Sequence, residues 1–247
     1  MKSLRFPFAK LISRFPIAQR VKLVDVALAH IAETSYLRLA QLGFRPRGIL
    51  DIGAYEGTWT RMVANVFPGV PILMIEAQEE KRQALDGVRN DVPLVDYAIC
   101  LLGDKDGAEV SFNVMETGSS IYSENSDAPR RNCRLRMRAL DAVLEERPQL
   151  SEPLFVKLDI QGAELDCLRG GKVALESAEI VQLEVALMTY NLGAPEAIDV
   201  FQFMADHGFV VYDICGFVRP EPSYLAQIDV LFARKDSPLR SHFFRFG

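Results

Sequence analysis

The spacing of apolar positions changes several times along the chain. From residue 17 to 42, Val21, Val24, Leu28, Ile31, Tyr36, Leu39 and Leu42 recur at three- and four-residue intervals with no internal Gly or Pro. That spacing predicts an amphipathic helix or a helix pair, ended by Gly43 and Pro46. Beyond Gly48 the pattern becomes short continuous apolar runs alternating with helical periods: strands 48–52, 71–76 and 92–99, with helices 58–66 and 79–88 between them. Continuously apolar strands suit a parallel sheet covered on both faces. The alternation resumes with strand 154–160, helix 163–168, strand 180–185 and helix 195–207, then strands 209–214 and 228–233. No helical pattern joins the last two, only Gly216 and a Pro-rich stretch at 219–223, so they can pair antiparallel. The predicted fold is α/β: a doubly wound, Rossmann-like sheet, mostly parallel with its last strand antiparallel, behind an N-terminal helical extension over 1–46.

A long interruption, 103–153, separates the third and fourth parallel strands. It holds an Asp106-Gly107 turn, an alternating strand 109–114, a Gly118-Ser119-Ser120 loop, a strand 133–138 and a helix 139–147 stopped by Pro148. Insertions of this size commonly shape a binding cleft. The domain then spans 47–235, with 236–247 as a tail. The extension reads as a core-covering helix, with a dimer contact or an active-site lid as alternatives.

Composition narrows the classes. A chain of 247 residues, 49% hydrophobic and 25% charged, supports one globular domain with a sizeable core. With 28 Lys and Arg against 33 Asp and Glu, the net charge of -5 argues against a nucleic-acid partner. Cys100, Cys133, Cys167 and Cys215 are too dispersed for a zinc or redox motif, and reduced thiols in the cytoplasm are the simpler reading. No apolar run is long enough to span a membrane. The first twenty residues are basic and aromatic but broken by Pro7 and Pro16, which fits packing on the protein or weak peripheral membrane contact rather than a secretory signal. A homo-oligomer is compatible with all of this.

Two constellations carry chemistry. The first strand ends in Asp51, Gly53, Ala54, Tyr55, Gly57 and Thr58, and the second ends in Glu76 and Ala77. Ligands in open α/β sheets sit outside the carboxyl ends of the strands, where glycines admit close backbone approach and a carboxylate accepts both ribose hydroxyls. The Asp-x-Gly-x-x-x-Gly spacing is not the dinucleotide fingerprint that cradles a pyrophosphate, so NAD is disfavoured. S-adenosylmethionine, with a ribose but no phosphate, fits better. Its adenine is expected near Asp96, Tyr97 and Ala98. The second constellation is Lys157-Leu-Asp159-Ile-Gln161-Gly162-Ala-Glu164. Alternation puts Lys157 and Asp159 on one strand face, where they need partners or a polar cleft; Glu164 in the next helix's first turn suits the helix dipole.

These segments, with Gly118-Ser119-Ser120, Ala139-Leu-Asp141, Leu168-Arg-Gly-Gly171, Gln182-Leu-Glu184, Tyr190-Asn191 and Gln227-Ile-Asp-Val-Leu-Phe232, resemble the FkbM family of class I methyltransferases over about residues 48–234. The family usually has Asn at Tyr55 and Glu at Gln161. The resemblance implies O-methylation of a hydroxyl on a carbohydrate or small-molecule natural product, with S-adenosylmethionine as donor; a non-catalytic binding module on the same fold is the alternative.

Asp159, Lys157 and Glu184 are the candidate catalytic residues. Asp159, also a candidate cofactor contact, and Glu184 are possible bases; a divalent ion held by both is an open alternative, with no metal ligand assigned. His207 reads as a helix cap. Acceptor contacts are expected from Ser119, Ser120, Gln161 and Glu164, and from Arg134 and Arg136, whose basic strand face suits either an anionic acceptor group or an edge strand protected from mispairing.

Overall fold

The computed structural model describes residues 14–115, 118–124, 130–189, 191–220 and 224–240. Most of the basic N-terminal segment, Tyr190 and the end of the 236–247 tail lie outside the described residues.

The helical pattern at the N-terminus is a pair, α1 (Ile17–Ala29) and α2 (Ile31–Gln41). The alternating region follows as β1 (Gly48–Ile52), α3 (Thr58–Val66), β2 (Ile72–Glu76), a 3-10 turn (Glu79–Lys81), α4 (Arg82–Asp91) and β3 (Val95–Ile99). The third strand starts later than its apolar run suggests. Leu94 has φ of 61°, and extended backbone cannot begin until after it.

The interruption folds as β4 (Leu101–Leu102), β5 (Glu109–Val114), β6 (Ser123–Glu124), β7 (Arg131–Arg138) and α5 (Leu140–Glu145). After it come β8 (Leu154–Leu158), α6 (Glu164–Arg169), α7 (Lys172–Ser177), β9 (Ala178–Ala186), β10 (Asn191–Leu192), α8 (Ala197–Asp206), β11 (Phe209–Val218) and β12 (Gln227–Arg234). The pattern does not reveal α7, because its N-terminus is capped from elsewhere in the chain. Asp141 accepts the backbone N–H groups of Val173 and Ala174, each at 3.0 Å.

Seven strands form the main sheet in the order β11-β12-β9-β8-β1-β2-β3. β12 runs antiparallel to both neighbours and the other pairs are parallel, as the missing crossover helix between β11 and β12 requires. Within the interruption β7 pairs with β5 along its length but meets β4 only at Met137 and Arg138. Among the described residues, no strand pairs with the other edge of β7 around Arg134.

Of the N-terminal pair, α2 is built into the core on one face of the sheet through the buried Tyr36 and Leu39, while Ile17, Val21 and Val24 of α1 stay exposed. Phe155 of β8 is fully buried and meets Tyr36, Trp59, Phe44 and Phe67 edge-on, with ring centroids 5.4 to 6.2 Å apart. The buried Tyr36 hydroxyl donates to Gln182 Oε1 and accepts from Trp59 Nε1 at 2.9 Å, which satisfies the polar tip inside this cluster.

Candidate active site

The sheet order reverses between β1 and β8, and a cavity of about 510 Å³ opens there at the carboxyl ends of the strands. Gly53, Tyr55, Glu76, Ala77, Asp159, Gln161 and Glu184 line it together with Ser119 and Ser120 from the interruption. Two distant constellations and the insertion thus meet at one place.

On the β1–β2 side the turn after β1 is set by backbone geometry. Gly53 has φ of 78°, and a Cβ there would lie 1.9 Å from the Asp159 carbonyl oxygen, so only glycine lets β1 and β8 close together. Tyr55 also takes a left-handed φ of 50°, which turns its N–H onto Glu76. The buried Glu76 carboxylate accepts from Tyr55 N at 2.8 Å and from Gln78 N at 2.9 Å, one bond per oxygen. Each oxygen keeps acceptor capacity on a residue that lines the cavity. This arrangement fits a ribose diol.

Asp51 does not line the cavity. It is fully buried, accepting from Thr60 Oγ1 at 2.7 Å and from Lys157 Nζ at 3.1 Å. β1 and β8 are in register at this pair, and Lys157 also donates to the Gly53 carbonyl at 3.1 Å. Asp51 and Lys157 are therefore an internal brace for the glycine turn, out of reach of a ligand. Burial disfavours the lysine's charge, but Asp51 and then Asp159 more than offset it and hold the Lys157 pKa above its usual value. Gly57 and Thr58 form the entry of α3, and Ala54 is buried beneath the turn.

On the β8–β9 side Asp159 and Glu184 are bridged by Gln161, which takes a left-handed φ of 55°. Its Nε2 donates to Asp159 Oδ1 at 3.3 Å and to the Glu184 oxygens at 3.2 and 3.0 Å. Its carbonyl accepts from Ser120 Oγ and Asn191 Nδ2, both at 2.8 Å. Glu164 is buried behind this loop and accepts from Ile160 N at 2.9 Å and Gly162 N at 3.2 Å. Burial lifts its carboxyl to about 7 despite those bonds.

Burial and the nearby Asp159 charge also push Glu184 well above its usual value. Asp159 moves the other way. Burial opposes its ionisation, but Lys157, 3.6 Å away, and the hydrogen bonds from Glu184 and Gln161 outweigh that and lower its pKa. The two neighbouring carboxyls thus shift in opposite directions, which favours a shared proton on Glu184 over Asp159.

The residues expected at the adenine lie elsewhere. Asp96 is near the start of β3 and pairs with Arg147 at 3.3 Å, Tyr97 turns its hydroxyl to Asp86 at 2.9 Å, and Ala98 is packed against the core. Cys100 and Leu101, just past β3, form that wall instead, with Gln78 after β2. Arg134 and Arg136 also stay outside this cavity, on the exposed face of β7; Arg136 lines a separate groove of about 320 Å³ with Arg138. Phe112 and Met115 of the interruption line the cavity as well, and as ordinary apolar positions they give no distinguishing signal in the sequence. His207 caps α8, its Nδ1 2.7 Å from the Phe203 carbonyl. Among the described residues, no group of three or more His, Cys, Asp or Glu is arranged to hold a metal ion.

An antiparallel seventh strand inserted beside a parallel Rossmann-like sheet, with a carboxylate lining the cavity after the second strand, is the arrangement of a class I methyltransferase. The methyltransferase FkbM domain model matches residues 51–211, more than half of the chain, and the chain belongs to that family of S-adenosylmethionine-dependent enzymes. No curated protein matches it.

Solved structures similar to it include the O-methyltransferase TomG of Streptomyces achromogenes, in complex with S-adenosylmethionine: 13% identical, covering 82% of this chain and 79% of that one, TM-score 0.49. Precorrin-6y C5,15-methyltransferase of Geobacter metallireducens GS-15 is 13% identical over 82% of this chain and 87% of that one, TM-score 0.47. Magnesium protoporphyrin IX methyltransferase of Synechocystis PCC 6803, with bound S-adenosylmethionine, is 10% identical over 86% and 78%, TM-score 0.44.

Proposed function

We propose that this methyltransferase moves the methyl group of S-adenosylmethionine to a hydroxyl of a carbohydrate or small-molecule natural product. The observation that supports this is that Asp159 and Glu184, bridged by Gln161, share the wall of the cavity that Glu76 also lines. S-adenosylmethionine supplies an already activated methyl on a sulfonium. The chain's residues then have two tasks: alignment, which can supply about 7 to 11 kcal/mol of barrier reduction, and removal of the hydroxyl proton.

Glu76 anchors the ribose, Gly53 and Tyr55 shape the turn around the cofactor, and Ser120 and Asn191 fix the Gln161 loop. Asp159 is the ionised member of its pair, and its side chain is 43% exposed, against 6% for Lys157 behind it. It takes the proton. Lys157 braces Asp51 and sets the charge state of Asp159.

Labelled S-adenosylmethionine incubated with sugars, nucleotide sugars and glycolipid extracts tests the reading, with Asp159→Asn as control. Label is expected in a hydroxyl-bearing product and lost in the control. Transfer only to carbon or nitrogen would refute O-methylation.

A further inference from the structure

A second cavity, of about 250 Å³, opens between the end of β9 and the start of α8. Among the described residues, the two it shares with the first cavity are Gln161 and Glu184. The hydrogen bonds from Gln161 Nε2 to Asp159 and Glu184 therefore form a partition with space on both sides.

The second cavity has an apolar wall that includes Leu187, Met188, Pro195, Ile198 and Val200. Leu187, Met188 and Ile198 stay 42%, 45% and 69% exposed, so folding itself leaves an apolar rim around the opening. Its ionisable lining residues are Glu164, Glu184 and Glu196; no Lys, Arg or His lines either cavity among the described residues. The internal stretches outside the described residues, 116–117, 125–129, 190 and 221–223, contain none in their sequence.

The N-terminus of α8, a source of positive potential at this cavity, is closed by its own capping box. The Glu196 side chain accepts the Asp199 N–H, and Asp199 Oδ2 accepts the Glu196 N–H at 2.9 Å.

We propose that this second cavity seats the body of the methyl acceptor, and that the acceptor is an uncharged molecule with an apolar body whose hydroxyl reaches the first cavity across the Gln161–Glu184 contact. The inference rests on the methyl-transfer reading and narrows its substrate class. An anionic group would enter a space that, among the described residues, offers carboxylates and no cation to pair with it. An apolar body covers the exposed rim. The acceptor hydroxyl displaces the Gln161 amide and takes up hydrogen bonds to the carboxyl groups that Gln161 now bridges.

The test is equilibrium binding of two dyes of similar size to the full chain, followed by fluorescence. One is uncharged, N-phenyl-1-naphthylamine, and the other is the anionic 8-anilinonaphthalene-1-sulfonate. The uncharged dye is expected to bind one saturable site at least about ten-fold more tightly than the sulfonate. A Leu187→Glu and Ile198→Glu double variant should weaken it by about ten-fold or more, with thermal unfolding and S-adenosylmethionine affinity unchanged. If that variant loses its unfolding transition, Ile198→Glu alone at its exposed position gives the same comparison. Equal or tighter sulfonate binding, no binding of either dye, or unchanged binding in the variants overturns the proposal. Failure of the wild-type chain to bind S-adenosylmethionine would instead overturn the methyl-transfer reading and leave the dye comparison intact.

Discussion

Replacing Glu76 with Ala separates the proposed cofactor role of this carboxylate from its structural role. In the protein its two oxygens each accept one backbone N–H, at 2.8 and 2.9 Å, and those bonds hold Tyr55 in its left-handed conformation. Each oxygen retains capacity for one ribose hydroxyl. Hydrogen bonds to a charged acceptor contribute about 1.5–3 kcal/mol each, so losing both ribose bonds removes about 3 kcal/mol or more of binding. At about 1.4 kcal/mol per decade, the S-adenosylmethionine Kd should rise by about two orders of magnitude.

The variant also leaves the Tyr55 and Gln78 N–H groups without their acceptor, and water entering at the cavity limits that cost to about 1–3 kcal/mol of stability. Titration calorimetry gives the Kd, and a thermal melt reads the stability separately. Asp96→Ala is the matched control, because Asp96 lies near the opposite end of β3 and pairs with Arg147. A folded Glu76→Ala variant that binds S-adenosylmethionine within about three-fold of wild type would refute the assignment.

Four further outcomes follow from the same geometry. Gly53→Ala should cost more than the roughly 1–3 kcal/mol of backbone strain alone, because its Cβ meets the Asp159 carbonyl; denaturant unfolding checks this, and near-wild-type stability would contradict the turn geometry. Lys157→Met leaves the fully buried Asp51 without its cation and should destabilise the chain by about 3–5 kcal/mol, read in the same way. Glu164→Gln keeps an acceptor for the two loop N–H groups but removes a carboxyl raised from 4.5 to about 7. A raised carboxyl contributes stability that is present below the unfolded pKa and lost as pH climbs through the folded one, so the variant's melting temperature should gain on wild type between pH 4.5 and about 7. A constant gap across that window would count against burial of the charge. For Asp159, held low, methyl transfer should keep its rate through neutral pH and fall only in the acidic range where this carboxylate protonates; a pH–rate profile with its acid limb near neutrality would move the base to another group.

Much of the frame was legible because its signals are local. The first strand and α3 fall where their patterns put them, since a continuous apolar run followed by a glycine turn and a 3.6-residue period leaves little choice. The antiparallel last strand was legible from what the sequence lacks, a crossover helix before β12. Position along a strand was harder. Apolar character does not show where β3 stops, so the adenine wall was expected at 96–98, while the chain reaches the cavity only with Cys100 and Leu101. The partner of Asp51 was also hidden. A carboxylate at a strand end can face a ligand or a neighbouring strand, and only the register between β1 and β8 sets Asp51 beside Lys157, more than a hundred residues away.

The charge arrangement behind the cavity connects that hidden pair to specificity. Asp51, Lys157 and Asp159 form one series, buried at Asp51 and Lys157 and open to the cavity at Asp159, in which a single lysine faces two carboxylates, at 3.1 and 3.6 Å. One lysine cannot neutralise both carboxylates and an ionised Glu184 as well. Burial and the Asp159 charge therefore raise the Glu184 carboxyl, and two carboxylates against one lysine leave an excess of negative charge. That charge suits a cationic methyl donor. An anionic acceptor would add a second negative charge beside Glu184, with the lysine already engaged by Asp51 and the Gly53 carbonyl. With its one lysine engaged in the brace that shapes the glycine turn, this series offers an acceptor no free cation, which supports the proposed uncharged hydroxyl bearer independently of the apolar wall. Reversing that preference would take a cation placed on the second cavity's own wall, at Ile198 or Leu187, rather than any change at Lys157.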